Sequence, residues 1–400
     1  MALLSTLRSG HWPSLAGAWL HLTVSFMVWL LIGAMSIPLA EELQLRDAEI
    51  AWLVALPLLG GAVLRIVAGW SADWMGAYRT AVTIMLIECG VLVWGWLGVT
   101  EYREGLAFAA CLGIAGASFA VSLPLASRAY PPAAQGFVLG LAASGNVGTV
   151  LILFLAPWGA QLLGWHGVCG LMAVVAAASL ALFTVLLPAQ PDRPGPPTGR
   201  WWHSAARLVQ GRAAYWLCFL YAITFGGFVG LCSVLPLMLH EVYGLQAVTA
   251  GAIAALCGLG GSLLRPVGGH IADRRGGLQT LHYVLPVAAG GVVAILSPSF
   301  SMAVTMMILT TGALGFGNGV VFQLVAEWFP KEIGLASGVV GAAGGIGGFC
   351  VPVAVGMLKG PSGNYDFGLW LFAGCVMCAW GTVIAAIRRE NGGSTAAGRR

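Results

Sequence analysis

The chain has 400 residues, of which 58% are hydrophobic and only 8% charged, with a formal net charge of +4. Soluble domains carry about a quarter charged residues, and a mean hydropathy of +0.87 excludes a protein that covers itself in water. Apolar stretches near the ~20 residues that cross a bilayer recur from end to end, so lipid is the natural solvent. In chain order they predict twelve spans, at 15–39, 48–70, 80–99, 105–128, 137–160, 167–188, 213–239, 247–271, 280–298, 301–326, 335–357 and 367–387. The expected class is an all-α integral membrane protein. The first span is too long for a cleaved leader and reads as a retained anchor.

Basic residues orient the spans. Placing both termini in the cytoplasm puts Arg8, Arg79, Arg128, Arg274, Arg275, Lys331, Arg388 and Arg389 on that side and leaves Arg46, Arg103 and Lys359 opposite. That asymmetry follows the positive-inside rule and agrees with an even number of spans. The longest polar break holds Pro191, Pro194, Pro196 and Pro197 among several arginines. It divides the chain into a six-helix bundle at 1–188, a cytoplasmic linker at 189–212 and a second bundle with a tail at 213–400.

The two halves repeat each other. Residues 60–76, from Gly60-Gly61 through Arg65 and Gly69 to Asp73 and Gly76, align without gaps to residues 260–276, from Gly260-Gly261 through Arg265 and Gly269 to Asp273 and Gly276. Chance likeness between apolar helices does not keep Arg, Asp and glycines in register. A weaker pair links Tyr130-Pro131 and the following Gly136 and Gly140 to Phe329-Pro330, Gly334 and Gly338. Each opens a glycine-rich span, with Gly145, Asn146 and Gly148 in one half and Gly344, Gly345, Gly347 and Gly348 in the other. A duplicated six-helix unit predicts two bundles related by a pseudo-twofold axis, with a substrate site between them near mid-membrane. Glycine-rich spans five and eleven approach neighbours closely and bend during the transport cycle.

Two arginines sit where arginine is expensive. Arg65 and Arg265 each precede the Asp that ends their span by eight residues, about 12 Å of helix. A guanidinium there costs roughly 2.5–3.5 kcal/mol even on a mild insertion scale. An internal ion pair is the structural alternative, and Glu88 is the one acid placed within the bilayer core. Two fixed positive charges against one acid leave a surplus suited to an anion, and the planar arginine fork pairs with oxyanions and keeps its proton. Glu88 reads either as a packing contact, as a partner to an arginine, or as a proton-coupling group. Cys375 and Cys378 have CxxC spacing without a polar or basic neighbour and read as packing residues. The histidines are dispersed without an H-E-x-x-H cluster. An enzyme, a metal, a cofactor and a nucleic-acid partner are therefore not expected.

The G-x-x-x-D-x-x-G pattern around Asp73 and Asp273 resembles the loop motif of the major facilitator superfamily. The segments running from Gly116 to Gly148 and from Gly315 to Gly348 resemble the two nitrate motifs of its nitrate/nitrite porter family, over nearly the whole chain. The resemblance implies that Arg65 and Arg265 clasp the anion and that Phe119 and Phe225 cover its flat face, with Tyr221 one turn away. Asn146 is implied to face the site from the first, shorter nitrate motif. Asp73 and Asp273, with Gly140, Gly145, Gly148, Gly344, Gly345, Gly347 and Gly348, are implied to serve conformational change. The expected function is nitrate and nitrite transport across the inner membrane by a monomer in contact with lipid, either as exchange or with protons. A carrier for another small organic anion and an anion-sensing receptor are the competing readings.

Overall fold

The computed structural model describes residues 10–131, 138, 141–187, 211–297, 299–329, 333–359 and 364–397. The expected linker thus lies almost wholly outside the described residues, as does Gly140. The chain proceeds through α1 (Trp12–Trp29), α2 (Leu31–Ala34), α3 (Ser36–Glu42), α4 (Asp47–Trp74), α5 (Ala77–Leu97), α6 (Tyr102–Gly116) and α7 (Phe119–Ser127). A 3-10 turn at Ser144–Asn146 leads into α8 (Val147–Leu186). Then come α9 (Arg212–Tyr221), a π-helical turn at Ala222–Gly226, α10 (Gly227–Tyr243), α11 (Ala247–Arg275), α12 (Gly277–Ala294), α13 (Phe300–Trp328), α14 (Ile333–Met357) and α15 (Asp366–Ala397).

Ten described segments are long and apolar enough to cross a membrane by length and composition. One of them, Leu141–Leu186, is two predicted spans in one, because Gly164 breaks α8 with φ 69° and ψ 168°. Only glycine takes that backbone without a steric penalty. Together with the interrupted run from Trp12 to Glu42, the described residues supply the twelve expected passes. Aliphatic side chains stand outward along them, Leu97 at 69%, Val185 at 77% and Leu263 at 63% exposure, which is the surface a hydrocarbon solvent favours. Charged caps mark helix ends. The Arg46 N–H donates to the Glu49 carboxylate at 2.9 Å before α4, and the Thr100 and Glu101 N–H groups donate to Glu104 at 2.7 and 3.1 Å before α6.

The chain forms two compact units. One comprises Met1–Gln210 with Ser233–Ala255, and the other Gly211–Cys232 with Leu256–Arg400. Each is held by glycine seams, and the seams repeat. In the first unit Gly60 lies against the Ala110 carbonyl and Gly113, and Gly116 lies against Gly61. In the second, Gly261 lies against the Thr311 carbonyl and Gly315, and Gly319 against the Arg265 carbonyl. Small residues let helix backbones touch where lipid provides no hydrophobic drive between helices. The motif glycines behave alike too. Gly76 has φ 91° and Gly276 φ 86°, turning the chain after α4 and α11 in the left-handed region that the repeated G-x-x-x-D-x-x-G pattern reserves for glycine.

Candidate functional site: two arginines faced by aromatic rings

In the first unit Arg65 lies in the second half of α4 and is 1% exposed. Its Nε and Nη2 donate to the Gly116 carbonyl at 3.3 and 2.9 Å. That carbonyl is at the C-terminal end of α6, where helical acceptors lack an intrahelical donor. The guanidinium carbon stands 5.3 Å from the Phe119 ring centroid and 5.8 Å from that of Trp29. Such cation–π contacts supply roughly 0.5–2 kcal/mol each, more as the site is desolvated. Trp29 is itself anchored, donating Nε1–H to the Pro57 carbonyl at 2.7 Å. That carbonyl lies two turns before Arg65, and the indole packs against Gly61 and Gly116. The seam glycines therefore make room for the ring that positions the arginine.

The second unit has its own set. Arg265, half-buried on α11, holds its guanidinium carbon 5.4 Å from the Phe322 ring. Phe322 meets Tyr221 edge-on at 4.9 Å, and Tyr221 stacks on Phe225 at 5.0 Å with 2° between planes. Tyr221 and Phe225 flank the start and body of the π-helical turn. One extra residue per turn there reorients side chains, a device common at functional sites. Gly344 packs directly on both rings, Gly347 on the Ala222 carbonyl, and Gly226 on the Gly347–Gly348 backbone. The glycine run of α14 is the floor under this aromatic stack.

The structure places Phe119 beside Arg65 and stacks Tyr221 on Phe225. It adds Trp29 and Phe322, which sequence reasoning missed. An aromatic in an apolar helix carries no signature of its own. The one available signal for Phe322 was its position one turn after Asn318 in the second nitrate motif. Asn146 is 3% exposed in the 3-10 turn, and among the described residues its Oδ1 has no hydrogen-bond partner. Neighbouring Gly145 and Gly148 pack against Leu22 and the Thr23 carbonyl of α1. Glu88 is buried on α5, and among the described residues neither of its carboxylate oxygens is hydrogen-bonded, to either arginine or to any other group. Asp73 and Asp273 lie in the last turns of α4 and α11, with Asp273 exposed.

A family model described as Major Facilitator Superfamily matches residues 18–349. The probable nitrate/nitrite transporter NarK2 of Mycobacterium tuberculosis is 36% identical over 370 residues, covering 89% of this chain and 91% of that protein. The nitrite extrusion protein of Bacillus subtilis is 31% identical, covering 91% and 92%. The probable nitrate/nitrite antiporter NarK1 of Thermus thermophilus is 29% identical, covering 83% and 82%. Among solved structures, the xylose transporter XylE from E. coli shares the fold with a TM-score of 0.73 at 16% identity, covering 93% of this chain and 96% of that one.

Proposed function

Since the chain belongs to the nitrate/nitrite porter family of the Major Facilitator Superfamily, we propose that it carries nitrate and nitrite across the cytoplasmic membrane by alternating access. It is a multi-pass membrane protein, and in this reading both termini are cytoplasmic and a monomer suffices for transport. Arg65 and Arg265 bind the anion, Phe119, Phe225 and Tyr221 cover its plane, and Asn146 contributes its carboxamide. Asp73, Asp273 and the glycines of spans five and eleven serve the change of access.

The observation that carries the reading is Arg65. A fully buried guanidinium stands over two aromatic rings and donates to the Gly116 carbonyl from its Nε edge. That clamp fixes the orientation of a planar donor fork in a dry place, where charge-assisted hydrogen bonds to an oxyanion are strong. A flat, weakly hydrated monovalent anion suits rings that cover a plane and forks that meet an edge. A tetrahedral phosphate suits them less. Relatives named for nitrate or nitrite over most of the chain support the same substrate.

Competition in reconstituted vesicles tests the substrate. Unlabelled nitrite and chlorate are expected to suppress uptake of labelled nitrate, and acetate and formate at equal concentration to leave it unchanged. Suppression by the carboxylates and not by nitrite would favour the organic-anion carrier. For coupling, exchange of nitrate for nitrite and nitrate entry with protons are both compatible with the arginine sets. The buried acid Glu88 favours a proton-linked cycle.

A further inference from the structure

Away from the arginine set, the first unit encloses a second polar cluster. His21 on α1 is fully buried, and its Nδ1 is 2.9 Å from the Ser122 hydroxyl of α7. Its ring lies 6.0 Å from that of Phe183 on the second half of α8. His21, Ser122 and Phe183 therefore define one level of the bundle. One turn along each helix stands a serine: Ser25 four residues after His21, Ser118 four before Ser122, and Ser179 four before Phe183. Residues four apart share a helix face. Because span one runs opposite to spans four and six, all three steps lead the same way. The Ser122 N–H donates to the Ser118 carbonyl at 2.8 Å, so the turn between them is helical. Glu88 of α5 belongs to this second level, with the Ser25 side chain beside it.

Among the described residues, polar atoms at both levels lack a hydrogen-bond partner. Both oxygens of Glu88, the hydroxyls of Ser25, Ser118 and Ser179, and Nε2 of His21 are buried without one. All four residues bearing those side chains besides His21 are at most 5% exposed. Ordinary interiors satisfy such groups, and a lone buried carboxylate is far costlier than a lone hydroxyl. The titratable or charged groups on elements packed against α5 are His21 on α1, Asp47, Glu49, Arg65 and Asp73 on α4, Tyr102, Arg103, Glu104 and Cys111 on α6, His166 and Cys169 on α8 and Arg128 following α7, with Tyr78, Arg79 and Cys89 on α5 itself.

We propose that this cluster is a proton-carrying site, with Glu88 as the group that takes the proton and ordered water bridging it to Ser25, Ser118, Ser179 and His21. It deepens the transport reading by naming the coupled ion and where it rides. In each cycle a hydronium on the outer side gives its proton to a Glu88 oxygen, forming O–H and leaving water. On the inner side that O–H bond breaks and the proton passes to water. Intramembrane Glu and His in company with hydroxyls and water recur as proton relays. A sodium ion is the competing occupant of a carboxylate ringed by hydroxyl oxygens.

Two measurements on the full chain test this. Infrared spectra of the purified protein in D2O are expected to contain a protonated-carboxyl carbonyl band that disappears as pH is raised. The band is absent in Glu88→Gln, and its frequency shifts in Ser25→Ala and in His21→Gln. An identical band pattern in wild type and Glu88→Gln, or a band removed by sodium at constant pH, overturns the proposal. In vesicles, an inward nitrate gradient is expected to acidify the lumen in wild type and to lose that acidification in Glu88→Gln, with partial recovery in Glu88→Asp. Acidification equal to wild type in a well-folded Glu88→Gln also overturns it. Absence of any nitrate movement in wild type would count against the transport reading instead, and the infrared result still decides the site.

Discussion

At the scale of single residues, aromatic rings and arginines divide the work. Arginine supplies a charge and a planar fork; the rings and the Gly116 carbonyl decide where the fork points. Replacing Phe119 by Leu keeps the side chain apolar and removes the ring face 5.3 Å from Arg65. The loss of roughly 0.5–2 kcal/mol of cation–π stabilisation predicts nitrate affinity lower by about 2- to 30-fold, measured by titration calorimetry on a monodisperse variant. Phe322→Leu is expected to fall in the same range through Arg265. Wild-type affinity in both would show that the rings only fill space. Arg65 and Arg265 were legible in the sequence because a charge in an apolar run and a repeated register each stand out, and Phe119 only through the resemblance to the nitrate/nitrite porter family. Trp29 and Phe322 were not, because their role comes from which helix they meet. Nothing in their local sequence separates them from the other aromatics of a lipid-facing chain.

Among the elements, the glycine-rich helices explain how the sites are assembled. Gly148 at the start of α8 lies against the Thr23 carbonyl, and Gly347 of α14 against the Ala222 carbonyl. A side chain at either position pushes backbone against backbone, and overpacking of this kind costs roughly 1–3 kcal/mol. Gly148→Val and Gly347→Val are therefore expected to lower the melting temperature in detergent. Gly347→Val is also expected to weaken nitrate binding, because Tyr221 and Phe225 rest on the same helix through Gly344. Unaltered melting curves would remove the seams from this account. The helices were readable from apolar runs of the right length, and their order matches. The break at Gly164 was readable only as a short gap between two spans. The π-helical turn at Ala222–Gly226 was not readable at all, since it differs from an α-turn in hydrogen-bond register and not in composition.

For the whole molecule, duplication is the organising fact. The Arg-to-Asp stretch occurs twice, and in both units it produces a glycine seam, a left-handed glycine after the helix and an arginine beside an aromatic ring. The copies have diverged in what surrounds the arginine. Arg65 is fully buried beside two rings and a carbonyl, and Arg265 is half-buried beside Phe322. The first unit also carries the His21–Glu88 cluster, which is visible in burial and unmet hydrogen bonds and has no mark in the repeated glycine pattern. The measurement that most directly tests the central claim is nitrate binding to purified protein carrying Arg65→Lys or Arg265→Lys, each checked for an unchanged melting profile. Lysine keeps the charge and loses the fork. Loss of charge-assisted hydrogen bonds worth about 1.5–3 kcal/mol predicts affinity reduced by roughly 10- to 150-fold in each variant. Binding indistinguishable from wild type in either one would contradict the assignment of that arginine to the anion.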